Sequence, residues 1–194
     1  MSAGQRSLLT VIVLLISTVL LSGCIPLAIT AVGAGVMVAT DRRTTGTQLD
    51  DEVIEAKIAT DIRERFKGDV HAISTSYNGI VLLTGQVPTA EMKAQIAELA
   101  RATPKVRVVQ DEMMVGPVAD LTTRTNDSLI TSKVKARFVE ASRFQVNHVK
   151  VVTERNVVYL MGVVRQGEAD DAVGIARPTG GVQRVVKIFE YFKG

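Results

Sequence analysis

Hydrophobic positions follow three different rhythms along this chain of 194 residues. From Leu8 to Leu21 they are nearly continuous, and a second small, apolar stretch runs from Ile25 to Thr40. Both are shorter than the ~20 residues a membrane-spanning helix needs. Beyond Asp50 the spacing becomes four, as Ile54, Ile58 and Ile62 and later Ile130, Val134 and Phe138, which predicts helices with one buried face. Between these helices lie short runs rich in Val, Ile and Leu, bounded by Gly and Asn, which predict strands.

Sliding the chain along itself by 76 or 77 residues exposes an internal repeat. Asp51-Glu52-Val53-Ile54 aligns with Asp127-Ser128-Leu129-Ile130, and Ile80 to Val87 aligns with Val157 to Val164. Leu99-Ala100-Arg101-Ala102-Thr103 matches Ile175-Ala176-Arg177-Pro178-Thr179. Each copy predicts a first helix (about 50 to 66, and 126 to 141) opened by Asp50 or Asp127 as the capping residue. A hairpin follows, turning at Tyr77-Asn78-Gly79 and at Arg155-Asn156. A second helix is predicted over roughly 89 to 102 and 167 to 177, and a last strand over about 105 to 115 and 182 to 192. Three strands need cover on one face and two amphipathic helices supply it, so each copy is an α+β unit of about 65 residues.

Composition narrows the chemistry. The chain has one cysteine, Cys24, which ends the apolar amino-terminal run as Leu21-Ser22-Gly23-Cys24 behind a stretch carrying Arg6. This resembles the lipobox of bacterial lipoproteins, in which the signal peptide is removed just before a cysteine that is then acylated. Ile25 stands where an Asp would retain such a protein at the inner membrane, so the resemblance implies the outer membrane. Acyl chains on Cys24 anchor stably when two or three are present, at about 0.8 kcal/mol per buried methylene. With Cys24 acylated no thiol remains for disulfides, zinc or nucleophilic catalysis. The net charge of +3 falls to +2 once Arg6 is removed, too balanced to mark a nucleic-acid binder.

Asp41 to Asp50 and Gly116-Pro117 to Thr125 have linker composition. The expected division is therefore a signal peptide over 1–23, a lipidated tether and linker over 24–49, a first domain over 50–115, a linker over 116–125 and a second domain over 126–194. Gly33-Ala34-Gly35 is not a dinucleotide fingerprint, because Val38 stands at its third glycine and no strand precedes it. The two histidines, His71 and His148, have no nucleophile or carboxylate at catalytic spacing, and no metal-binding or phosphate-loop motif occurs. The residues therefore point to no enzyme, cofactor or metal.

The pattern Val-x-Leu-x-Gly, as Val81-Leu82-Leu83-Thr84-Gly85 and Val158-Tyr159-Leu160-Met161-Gly162, followed by an Ala-rich helix and a valine strand, resembles the BON domain. Two such domains behind a lipobox are similar to the dual-BON outer-membrane lipoproteins. The resemblance implies two tandem BON domains, each αββαβ with a three-stranded mixed sheet packed on two helices. It also implies a periplasm-facing, non-enzymatic protein that binds anionic phospholipid, supports outer-membrane integrity, concentrates at division sites and touches the outer-membrane protein assembly machinery. In that family lipid contact is attributed to the first helix of the second domain.

Charge separates the two first helices independently. Between Asp50 and Phe66 six acids face three bases, whereas between Asn126 and Arg143 two acids face four bases. Only the second would be drawn to an anionic headgroup layer. With Ile130, Val134 and Phe138 facing the core, Leu129, Lys133 and Arg137 stack one face over and form the candidate phospholipid-binding site. Leu129 stands where family members commonly carry tryptophan. The alternative is a scaffold that presents a sheet edge or groove to an envelope protein.

Overall fold

The computed structural model describes residues 41–66 and 70–192. The expected signal peptide, Cys24 and the apolar stretch to Thr40 lie outside the described residues.

Helix α1 spans Thr45–Arg65 and begins five residues before the expected start, because the side chain of Thr44 accepts the amide of Thr47 and caps it. The same correction applies in the second copy. Asp120 caps helix α3, Leu121–Ala141, by accepting the amide of Thr123 at 2.7 Å, so the linker shortens to 116–120. The three threonines near its start read as linker on composition, yet Thr125 returns its hydroxyl to the Leu121 carbonyl and the helix runs through them. Asp50 and Asp127 are not caps. Asp50 is bound by Lys105 at 2.6 Å, and Asp127 is buried in the second turn of α3.

The spacing-four residues are the buried faces expected of them. Ile54, Ile58 and Ile62 on α1, and Ile130, Val134 and Phe138 on α3, are almost fully excluded from solvent. Strands β1 (His71–Tyr77) and β2 (Ile80–Val87) form an antiparallel hairpin, followed by helix α2 (Ala90–Arg101). The last strand returns parallel to β2 but is interrupted, as β3 (Val108–Asp111) and β4 (Met114–Val115). The break has a local cause, since the Asp111 carboxylate takes the Met113 amide and Met113 turns into the core. In the second copy β5 (Val149–Glu154) and β6 (Val157–Val164) pair antiparallel, helix α4 (Gln166–Ala176) follows, and β7 (Arg184–Tyr191) runs unbroken and parallel to β6. Each copy is thus αββαβ, with a mixed sheet whose central strand is β2 or β6.

The glycine of the Val-x-Leu-x-Gly pattern has a steric reason. A Cβ on Gly85 would sit 1.9 Å from the His71 carbonyl oxygen, and one on Gly162 would sit 2.2 Å from that of His148. The neighbouring backbone, at the start of β1 or just before β5, leaves no room for a side chain.

Two cores were expected, and each copy has one. A third apolar cluster joins them: Tyr77 and Leu82 of the first copy meet Tyr159 and Met161 of the second. The sheets pack their outer faces together here, which explains why β2 is buried on both sides and shows no alternation. Hydrogen bonds frame this seam. Gln86 donates to Glu154, Lys150 to Glu55 and the Ser76 carbonyl, and Arg107 forms a two-pronged pair with Glu190.

Candidate functional site

Helix α3 presents its outer face through Leu129, which is 54% exposed, with Lys133 beside it. At about 100° per residue, Lys133 lies roughly 40° and Arg137 roughly 80° around the helix from Leu129. That rotation brings Arg137 to the flank of the buried stripe, where it is half-buried and donates to the hydroxyl of Thr179 at 3.1 Å. Lys135 and Val139 lie exposed on the opposite flank, and Leu121 is exposed at the helix start. The three expected residues therefore share one side of α3, but they differ in freedom. Among the described residues no carboxylate lies within ion-pair distance of Lys133 or Lys135, so both charges face solvent.

The equivalent positions on α1 are Val53, Lys57 and Asp61. Val53 is as exposed as Leu129, but Lys57 is bound to Asp61 one turn along, at 3.2 Å. The geometry is repeated and the free charge is not.

Two features were missed in the sequence. The first is a pair of buried aspartates that hold the hairpin turns from the neighbouring helix. Asp127 accepts the amides of Arg155 and Asn156 at 2.8 and 2.9 Å. Asp51 accepts those of Asn78 and Gly79 at 2.7 and 2.8 Å, together with the Ser76 hydroxyl. Burial opposes charge on Asp51, but these donors and Arg43 outweigh it and hold the carboxyl below its ordinary value. Both turns need left-handed backbone, at Asn78 and Gly79 and at Arg155 and Asn156, and a carboxylate that takes two successive amides stabilises it. The repeat already aligned Asp51 with Asp127, which was the available signal.

The second missed feature is the segment Asp41 to Arg43, read as linker, whose two arginines are partly buried in ion pairs. Of the histidines, His148 lies buried near Glu168, and His71 lines a crevice between the copies with Arg124 and Glu154. Burial, with the Arg124 charge, holds His71 below its ordinary pKa. Among the described residues no cluster of three His, Cys, Asp or Glu side chains is arranged to hold a metal, and no helix is long and apolar enough to cross a membrane.

Comparison with known proteins places this geometry. The BON domain model matches twice, at residues 50–117 and 126–191. Outer membrane lipoprotein DolP of Haemophilus influenzae is 38% identical over 92% of this chain and 94% of its own length. The 21 kDa hemolysin of Actinobacillus pleuropneumoniae is 33% identical, covering 78% of this chain and 79% of its own. Osmotically-inducible protein Y of Escherichia coli is 27% identical over 78% of each. With both BON matches falling on the two αββαβ units, and with DolP sharing nearly the full length, the chain belongs to the BON-domain family as a two-domain member similar to an outer-membrane lipoprotein.

Proposed function

We propose that this protein is held to the outer membrane through acyl chains on Cys24, faces the periplasm, and rests helix α3 on an anionic phospholipid leaflet, supporting membrane integrity without catalysing a reaction. The observation that carries this reading is the contrast between unpaired Lys133 and Lys135 flanking exposed Leu129 on α3 and the Lys57–Asp61 pair at the equivalent place on α1. Each cation near an anionic surface contributes about 1 kcal/mol, and an exposed leucine adds burial in the headgroup layer. Arg137 serves by holding the α3 flank to Thr179 as well as by charge.

A chain beginning at Asp41 should bind vesicles containing anionic lipid and bind neutral vesicles poorly, with binding falling as salt rises. Equal binding to both vesicle types removes the reading. One observation favours a scaffold role instead: β7 is an unbroken eight-residue strand at a sheet edge, a form that accepts an added strand from a partner such as the outer-membrane assembly machinery.

A further inference from the structure

Two consecutive arginines, just before the first helix, reach in different directions. Arg42 turns to the second BON domain. Its guanidinium makes a two-pronged pair with Glu168 at 2.6 and 2.9 Å, donates to the Val163 carbonyl at 2.9 Å, and lies 5.3 Å from the Phe192 ring centroid. Arg43 turns to the first. It donates to Asp51 at 2.9 Å and lies 3.8 Å over the Tyr77 ring, while Asp41 holds it through both side chain and backbone amide. Both arginine side chains are only 14% exposed, unusual for a segment with linker composition.

The residues gripped are themselves placed at the seam. Tyr77 belongs to the apolar cluster shared by the sheets and donates its hydroxyl to the His148 carbonyl of the second domain. Val163 packs against that same cluster. Glu168 opens α4, accepting the Arg165 amide as part of the helix cap. Isolated surface ion pairs contribute little, but paired and partly buried guanidinium contacts, each with a second hydrogen bond and an aromatic face, are stronger and directional.

We propose that Asp41–Arg43 is a strap that latches the two BON domains across their seam, so that these three residues are bound into the domain interface and not merely appended to the first helix. A strap works only when both ends hold, whereas two independent surface contacts add. The test is therefore a double-mutant cycle on the full chain in detergent micelles, with Arg42→Ala, Arg43→Ala and both together, read by amide hydrogen exchange. Arg42 touches no first-domain residue in the contacts above. Arg42→Ala should nevertheless raise exchange about tenfold at the seam amides around Tyr77 and Leu82, with core amides of Ile58 and Val134 unchanged. The double variant should exceed neither single variant by more than about twofold. Additive effects, with each arginine loosening only its own domain, overturn the proposal, as does seam exchange unchanged in Arg42→Ala. Because Arg43 also touches the turn-holding Asp51, Glu168→Gln provides the second probe, weakening the Arg42 end while its remaining side-chain oxygen can still accept the Arg165 amide that caps α4. It should reproduce the Arg42→Ala pattern in part, and a seam unaffected by it counts against the strap.

Discussion

Helices α1 and α3 are built alike and face water unlike. Both bury residues at spacing four, both hold a hairpin turn with an aspartate in the second turn, and both expose an aliphatic residue two positions after that aspartate. They part on the outer face, where Asp61 closes on Lys57 in the first domain while Arg137 stands in the second, and where Lys135 replaces Ala59. What the comparison teaches is that the fold constrains the inner face through packing and hydrogen bonds, while the outer face is free to carry a function.

The constraint common to both domains is tested by Gly85→Ala and Gly162→Ala. Each forces a Cβ into a backbone carbonyl and should cost about 3 kcal/mol or more, seen as a fall in the denaturation midpoint. Tolerance of either substitution would show that the strand pair can spread and that the domains are less alike than described. The difference between the helices comes next. Lys133→Glu with Lys135→Glu should weaken binding to anionic vesicles by up to about a thousandfold, since two attractions become two repulsions at about 1 kcal/mol each. Lys57→Glu should change it less than about twofold, and Asp61→Arg, which frees Lys57 and adds a cation, should strengthen it. If reversal on α1 weakens binding as much as reversal on α3, the charge contrast has no bearing on lipid.

The smallest effect separates the equivalent glutamates Glu91 and Glu168. Burial opposes charge on Glu168, but Arg42 and the Arg165 amide prevail and hold its carboxyl down to about 2. A depressed folded-state value contributes stability above the ordinary range near 4.5, and that contribution is lost as pH falls from there through about 2. The stability gap between the parent and Glu168→Gln should therefore close as pH falls through that window, by about 1 to 2 kcal/mol once solvent screening of this partly exposed pair is allowed for. Glu91 is exposed and accepts only a long bond from Gln95 at 3.4 Å, so Glu91→Gln should cost less stability at neutral pH than Glu168→Gln does.

What could be read in the sequence was whatever repeats at short range. Ile54, Ile58 and Ile62 announce a helix face because four residues make about one turn, and Asn78-Gly79 announces a turn because those residues accept left-handed backbone. The helix starts were misplaced because Asp50 and Asp127 are capping residue types that the structure uses otherwise, while Thr44 and Asp120 do the capping. Asp51 holds Gly79 from 28 residues away, and Arg42 meets Glu168 from 126 residues away, so no local pattern reveals either. The exposure of Leu129 and Lys133 was legible from the buried stripe beside them. That Arg137 would be tied to Thr179 was not, because the loop after α4 had first to be placed.

The seam carries one more implication. Leu82 and Tyr159 occupy equivalent places in the two copies, and both lie in the cluster where the sheets meet. The match is partial, since Glu154 and Thr84 stand at the positions equivalent to Tyr77 and Met161, so the junction keeps only part of the self-complementarity found where identical subunits associate about a twofold axis. In a true homodimer any change appears on both partners at once. Joined in one polypeptide, the halves keep part of a common mating face and are released from sameness elsewhere, so one can turn acidic while the other turns basic.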